Sequence, residues 1–249
     1  MPRKPRKESS TQIYHVIVRG NNRQLLFLND EDKMFFTNRI FKYSEQLNIS
    51  IYSYCIMGNH VHILLGRTPK IILSLFVQKL ANSYVFYFNR KYECSGHLFQ
   101  GRFKSEPVES DEYFKTVLRY ILQNPQKANI DSFVNYKWNS YCQLVNTDIA
   151  SKIDRTFVYE LFEGISPMKK YLKLNEKHHC MEYETRILPS DEKVSQILSN
   201  LLKIDNIHMI KSLPPDQLSK KLIVLRHSNF SLAQISRVTG LSIKILKGY

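Results

Sequence analysis

The spacing of apolar residues changes period along the chain, and each change predicts an element. "IYHVIVRG" (13–20) alternates and is rich in β-branched residues, which predicts a strand ending at Gly20. "NNRQLLF" (21–27) reads as a turn followed by a short extended segment. From Asp30 to Leu47, the apolar Met34, Phe35, Ile40, Phe41 and Leu47 recur at helical spacing, behind three acids that suit a helix N-terminus. "ISIYSYCIM" (49–57) and "HVHILLG" (60–66) predict two strands joined by a tight turn at Gly58-Asn59. Pro69 opens a helix over 70–89 with Ile72, Phe76, Leu80, Tyr84 and Tyr87 on one side. "FKSEPVE" (103–109) is a short strand, and Ser110 caps a third helix that ends at Pro125.

That order predicts an α+β fold: a ferredoxin-like split βαβ core, with an antiparallel sheet and helices on one face. Beyond residue 130 the pattern loosens, and it becomes helical again from 191. "FSLAQISRVTGLSIKILKGY" (230–249) has the form of a helix-turn-helix. Ser231 caps its first helix, Leu232, Ile235 and Val238 face inward, and Gly240 makes the turn. Ser242 caps a second helix with Ile243 and Leu246 inward and Lys244 and Lys247 outward. Read as a small bundle, the same segment would need no DNA. The expected organisation is a basic disordered arm over 1–10, a main domain over 11–141, a connecting segment over 142–190, and a C-terminal all-α, helix-turn-helix-like region over 191–249.

Charge changes the picture most. The chain has 36 Lys and Arg against 22 Asp and Glu, a net charge of +14, which favours polyanionic partners. The last 39 residues alone carry seven Lys or Arg and one acid, Asp216. No run approaches the ~20 apolar residues of a membrane span, and the basic start has no apolar stretch behind it, so no membrane partner is expected. The cysteines at 55, 94, 142 and 180 form no C-x-x-C pair, which points to a reducing cytoplasm. "KHHC" (177–180) reads as loop or helix surface ahead of a metal cluster.

Two chemistry-bearing groups stand out. His60 and His62 flank Val61 on a strand, so they project from one face while Val61 and Ile63 take the other. Such a pair suits a shared metal ion and equally suits a polar sheet face. On the third helix, Phe114, Val117, Leu118 and Ile121 form a core stripe beside a second stripe of Tyr113, Thr116, Tyr120 and Asn124. Two imidazoles and an amide oxygen would leave room for phosphate and water, a donor set suited to Mg2+ or Mn2+.

The four segments "YHVIVRGNNRQLLF", "YCIMGNHVHILLG", "GHLFQGRFKSEPV" and "LRYILQNPQKANI", in that order, resemble the REP-associated tyrosine transposase family, a branch of the single-tyrosine HUH transposases. The likeness runs over about residues 11–141, including "YKWNSY". It implies that His60, His62 and Asn124 are metal ligands and that Tyr120 is the nucleophile. It also implies DNA contacts from His15, Arg19, His97, Gln100, Arg102 and Lys104, to which Lys244 and Lys247 would be added by the C-terminal helices. Gly58 stands where the family usually has Pro, and Asn129 where it usually has Gly.

The implied activity is a DNA transposase and strand transferase that nicks and rejoins single-stranded hairpin DNA through a 5′-phosphotyrosine. The alternative is a non-catalytic nucleic-acid-binding regulator on the same scaffold. Single-stranded or hairpin DNA is the expected partner, with duplex DNA at the C-terminal region. A homodimer is among the assemblies the sequence leaves open. The expected location is the bacterial cytoplasm, at the nucleoid.

Overall fold

The structure is a computed structural model that describes residues 6–174, 180–181, 191–226, 228, 230 and 232–247. Ser231 and residues 177–179 of "KHHC" fall outside them, while Cys180 is buried. The chain forms two compact units, residues 1–183 and 184–249.

The first unit is built on four antiparallel strands: β1 (Tyr14–Arg19), β2 (Ser50–Ile56), β3 (His60–Gly66) and β4 (Lys104–Pro107). Their order across the sheet is β2-β3-β1-β4, the order a split βαβ core produces. β3 is therefore central, with Ile17 and Cys55 the partners of His62 on either side.

α1 (Asp30–Gln46) starts as its acids predict. Asn29 caps the backbone N–H of Asp32, and the Asp32 carboxylate accepts in return from the Asn29 N–H. That buried carboxylate also takes Lys91 at 2.8 Å and Tyr92 at 2.7 Å, tying the start of α1 to the end of α2 (Lys70–Lys91). α2 is long and apolar enough by composition to cross a membrane. Its Leu73, Phe76, Leu80 and Tyr84 are instead packed in the core.

The sheet is covered on both faces, one more than the strand order predicts. Tyr54 stacks edge-on against Phe41 of α1. The next residue, Cys55, points the other way, as does its cross-strand partner His62. That second face lies under α3 (Asp111–Leu122), where Phe114 meets Tyr52 and Tyr120 meets His62.

α3 begins where expected, with the Ser110 side chain accepting from the Tyr113 N–H. It stops at Leu122, just short of Pro125. The imino ring interrupts the ladder near Gln123, and a one-turn helix, α4 (Asn124–Lys127), carries the chain onward. Asn129 follows at φ +53°, the left-handed region that Asn tolerates nearly as readily as the usual Gly.

Residues 142–174, expected to connect, are helical and packed into the first unit. α5 (Tyr141–Val145), α6 (Arg155–Phe162) and α7 (Ile165–Leu172) bury Leu144, Val158, Phe162, Met168 and Leu172. Gln123 donates to the carbonyls of Leu172 and Leu174, and the buried Arg119 guanidinium lies 4.3 Å from the Tyr171 ring centre. These contacts hold the C-terminal half of α3 from outside.

From the sheet side it is held by "YKWNSY". Asn139 donates to Phe133 O at 2.7 Å and Leu122 O at 3.4 Å, accepts from the Tyr141 N–H, and bridges to Cys55 of β2. Ser140 Oγ accepts from the Tyr54 N–H beside the irregular register of β2 between Ile51 and Ser53.

Residues 6–10 are likewise docked rather than forming part of a free arm. Arg6 stacks on Phe103, with its guanidinium carbon 3.6 Å from the ring centre, and donates to the Phe103 carbonyl. Ser10 bonds Glu109.

The second unit contains α8 (Asp191–Leu202), a 3₁₀ segment (Ile207–Ser212), α9 (Pro215–Arg226), α10 (Leu232–Thr239) and α11 (Ile243–Lys247). Val194, Leu198, Ile207, Ile210, Leu225 and Ile235 form its centre. Gly240, at φ +68°, makes the turn after α10 as predicted. Ile243 does not face inward: it is 41% exposed, and Leu241, in the bend, fills the core position instead. α11 has a single turn, so its start cannot reach the centre that Leu246 reaches.

The Asn139 side chain joins the end of α3, the Phe133 carbonyl and the start of α5, while its backbone bridges to β2. Asn139→Ala should destabilise the first unit by about 2–4 kcal/mol, because it leaves buried donors and acceptors unpaired. The exposed Asn135→Ala should change stability by no more than about 0.5 kcal/mol. Urea denaturation of both variants checks this, and equal midpoints would remove Asn139 from that role.

Candidate active site

β3 presents His60 and His62 to the face under α3, as strand alternation requires. Their ring centres lie 5.0 Å apart, and the Tyr120 ring centre is 5.6 Å from that of His62. Asn124, one turn beyond Tyr120, donates through its amide nitrogen to Tyr120 O at 3.0 Å and hydrogen-bonds His60. The four residues singled out on β3 and α3 therefore converge.

Three further residues complete the site. His15 of β1 is fully buried, with its ring stacked on His62 at 5.2 Å and edge-on to Tyr120 at 5.9 Å. Its Nε2 lies 2.9 Å from His62 Nδ1. This corrects the expectation of a DNA contact at His15, since a side chain with no exposure between β3 and α3 offers phosphate nothing. Asn59 Oδ1 lies 2.7 Å from His60 Nδ1. Lys127 of α4 sets its ammonium 4.4 Å from the Tyr120 ring centre. Lys127 continues the stripe of Tyr113, Tyr120 and Asn124, and its signal was hidden behind the apparent stop at Pro125.

Every imidazole here is held neutral. Burial pushes His60 down to about 4, helped by the nearby Arg19 charge and opposed by its bond to Asn124. Burial also holds His62 well below the ordinary 6.5, with the charges of His60, His15 and Lys127 acting in the same direction. His15 is lowered by burial while Glu106 pulls the other way. A neutral imidazole keeps one lone pair for coordination.

The nitrogens are allocated in a way that suits a metal. Nδ1 of His60 and Nδ1 of His62 are each engaged by a neighbouring side chain, and His60 also bonds Asn124, so a cation here would take the Nε2 lone pair of His62 and replace the His60–Asn124 hydrogen bond. With the Asn124 nitrogen on a backbone carbonyl, its oxygen remains an acceptor. Among the described residues, no three His, Cys, Asp or Glu side chains form a metal-binding group. The side chain beside the two histidines that could serve as a third protein ligand is the Asn124 amide, a donor type that suits a hard cation keeping waters.

The other expected DNA contacts lie nearer the surface. Arg19 pairs with His60 across β1 and β3. Residues 97–100 run beside it, with the Gln100 N–H on the Arg19 carbonyl at 2.8 Å and Gly20 bridging to Phe99. His97, Gln100 and Arg102 are exposed, and Lys104 on β4 is half-buried. Phe99 packs against Tyr84, and Phe103 is covered by Arg6. Lys244 is exposed on α11, and the Lys247 side chain lies outside the described residues.

Three other tyrosines of the first unit are engaged elsewhere. Tyr84 donates to the Leu26 carbonyl, Tyr87 donates to Asp32, and Tyr113 bonds Glu106, which raises its hydroxyl pKa along with burial.

Residues 8–124 match the family model described as "Transposase IS200 like". Among solved structures, the chain is similar to a REP-associated tyrosine transposase described as bound to a REP hairpin. The identity is 14% and the TM-score 0.52, over 61% of this chain and 90% of that one. A putative transposase from Deinococcus radiodurans R1 matches at 20% identity and a TM-score of 0.35, over 53% of this chain and 99% of that one. No curated protein sequence matches.

Neutral buried histidines carry a consequence for stability. With folded pKa values below 6.5, the unfolded chain takes up protons that the folded chain refuses until His60 titrates near 4. Stability of the metal-free first unit is therefore full above pH 6.5 and falls as pH drops from there towards 4. His60→Gln should flatten part of that limb. Urea midpoints across this range in EDTA check it, and a wild-type midpoint constant from pH 7 to about 5 would contradict it.

Proposed function

We propose, from the premise that residues 8–124 are an IS200-like transposase domain, that this protein is a DNA strand transferase whose covalent nucleophile is Tyr120. The observation that carries the reading is the convergence of Tyr120, His60, His62 and Asn124 beneath one helix.

In the proposed step the Tyr120 hydroxyl oxygen attacks a phosphodiester phosphorus. An O–P bond to tyrosine forms, the bond from phosphorus to the 3′ oxygen breaks, and that oxygen leaves as a 3′-OH. The phenolic proton passes to solvent. The resulting 5′-phosphotyrosine keeps the energy of the broken bond, so attack by another 3′-OH reverses the step and joins strands without a nucleotide cofactor.

His60, His62 and Asn124 would hold a divalent cation, Mg2+ or Mn2+. When bound, such a cation supplies charge neutralisation at the scissile phosphate. The protein's own groups do the rest. α3 carries the nucleophile, and α4, which continues directly from it, carries the amide, tied back by the Asn124 amide on the Tyr120 carbonyl. The Lys127 ammonium and the Arg19 guanidinium add positive charge around the phosphate position. His97, Gln100, Arg102 and Lys104 are proposed to contact the strand entering the site.

The substrate is proposed to be single-stranded DNA folded as a hairpin, a reading supported by the hairpin-bound relative and by the +14 charge. The second unit is proposed to add contacts to duplex DNA, placing the protein at the nucleoid in the cytoplasm.

Tyr120→Phe removes one oxygen and keeps the ring, so hairpin affinity should stay within about threefold while covalent adduct is lost. His60→Ala should also lose cleavage and keep binding, which rests on many basic contacts. Tyr43→Phe, on the helix covering the opposite face, should retain activity. A denaturing gel of labelled hairpin with Mn2+ scores all three. No adduct from wild type, with binding intact, would favour the non-catalytic regulator. An adduct from Tyr120→Phe would move the nucleophile elsewhere.

Lys244→Ala tests the second unit. Loss of one phosphate contact should reduce the slope of log affinity against log salt by about 0.9 on duplex DNA. An unchanged slope removes Lys244 from the interface.

A further inference from the structure

We infer that His15 and Glu106 are positioning residues that fix which ring nitrogen of His62 carries its proton, and thereby keep the other nitrogen open for coordination. The inference rests on the proposed cation site and concerns residues outside its ligand set.

The three groups are aligned by the sheet itself. His15 on β1 stands directly opposite Glu106 on β4. On the other side of β1, His62 is the partner of Ile17, two residues from His15 and on the same face. The result is a buried line: His62 Nδ1 to His15 Nε2 at 2.9 Å, then His15 Nδ1 to Glu106 Oε2 at 3.8 Å. The second distance is too long for a hydrogen bond, and His15 Nδ1, though buried, has no hydrogen-bond partner. Glu106 is itself held by the Met181 N–H at 3.1 Å and by a hydrogen bond with Tyr113.

A neutral imidazole has one N–H and one bare nitrogen, so a single proton lies between the two rings and can be arranged in two ways. In the first, His62 donates from Nδ1 to His15 Nε2. The His15 proton then sits on Nδ1, facing the carboxylate, and His62 Nε2 is bare. In the second, His15 donates from Nε2, its Nδ1 lone pair confronts the carboxylate, and the His62 proton moves to Nε2, where it blocks a cation. A negative charge beside His15 Nδ1 favours the first arrangement. Glu106 acts on His62 through His15, touching neither cation nor DNA.

The relay also accounts for two features that catalysis leaves unused. Burying a third histidine beside the pair would otherwise cost stability without return, and Tyr113, engaged with Glu106, becomes a strut for the carboxylate.

Glu106→Gln is the discriminating variant, since it keeps shape and removes charge. In the wild-type, metal-free protein, long-range 15N NMR of the imidazoles should find the His62 proton on Nδ1. In Glu106→Gln that preference should weaken or reverse. Mn2+ affinity, read by electron paramagnetic resonance without DNA, should fall about 10- to 100-fold at an unchanged melting temperature. Glu106→Asp, which keeps the charge, should retain the wild-type tautomer and lose less affinity. A wild-type His62 proton on Nε2 would overturn the relay, as would Glu106→Gln with unaltered tautomer and Mn2+ affinity. If Glu106→Gln fails to fold, the wild-type tautomer and Glu106→Asp decide the question. A wild-type protein that takes up no Mn2+ would instead overturn the cation reading, and the tautomer measurement would still judge the relay.

Discussion

Three imidazoles lie against one another on a sheet face covered by α3, and burial, complete at His15 and nearly so at His62, lowers the pKa of all three. A buried polar nitrogen without a partner is costly, so each ring must be oriented by a neighbour. Asn59 takes one nitrogen of His60, and His15 takes one of His62. What remains, beside a tyrosine, is one lone pair on His62 and a His60 that also bonds Asn124. The need to keep buried histidines both neutral and partnered thus produces, as a by-product, the donor set a hard cation would use.

The same need makes α3 the critical element. It closes the site, carries Tyr120 and ends beside Asn124, so a small tilt would separate Tyr120 from His60 and His62. The structure fastens its far end from several directions: Asn139 on the sheet side, the α7 carbonyls on Gln123, and Tyr171 over Arg119. Segments remote from the chemistry in sequence are therefore part of its geometry. A mutation in α7 would be felt as a catalytic defect before it registered as unfolding.

Much of this was legible because short-range patterns carried it. Strand alternation placed His60 and His62 on one face, the helical stripe joined Tyr120 to Asn124, and the acids at Asp30–Asp32 and the cap at Ser110 marked the helix starts. The failures share a cause. His15 looked like a surface contact because nothing local in "IYHVIVRG" reveals that a helix a hundred residues away covers it. Glu106 reads as a polar residue on a weak strand until β4 is paired with β1. The helix ends near Pro125 as expected, but a further one-turn helix follows, and that turn concealed Lys127. Helices α6 and α7 are eight residues each, too short to declare themselves by period, and their apolar faces make sense only against α3. Ile243 was placed inward by a periodicity that a single-turn helix cannot sustain.

The one-residue spacing of the two histidines has a bearing on how such a protein could lose its activity over evolutionary time. Because β3 is paired on both sides, one inserted or deleted residue would not disturb the histidines singly. It would turn both to the opposite face together and present Val61 and Ile63 to Tyr120. The sheet would keep its hydrophobic content, and the basic surface would be untouched. If the proposed chemistry holds, a lineage could in that single event pass from cutting DNA to only holding it, with no intermediate of half activity.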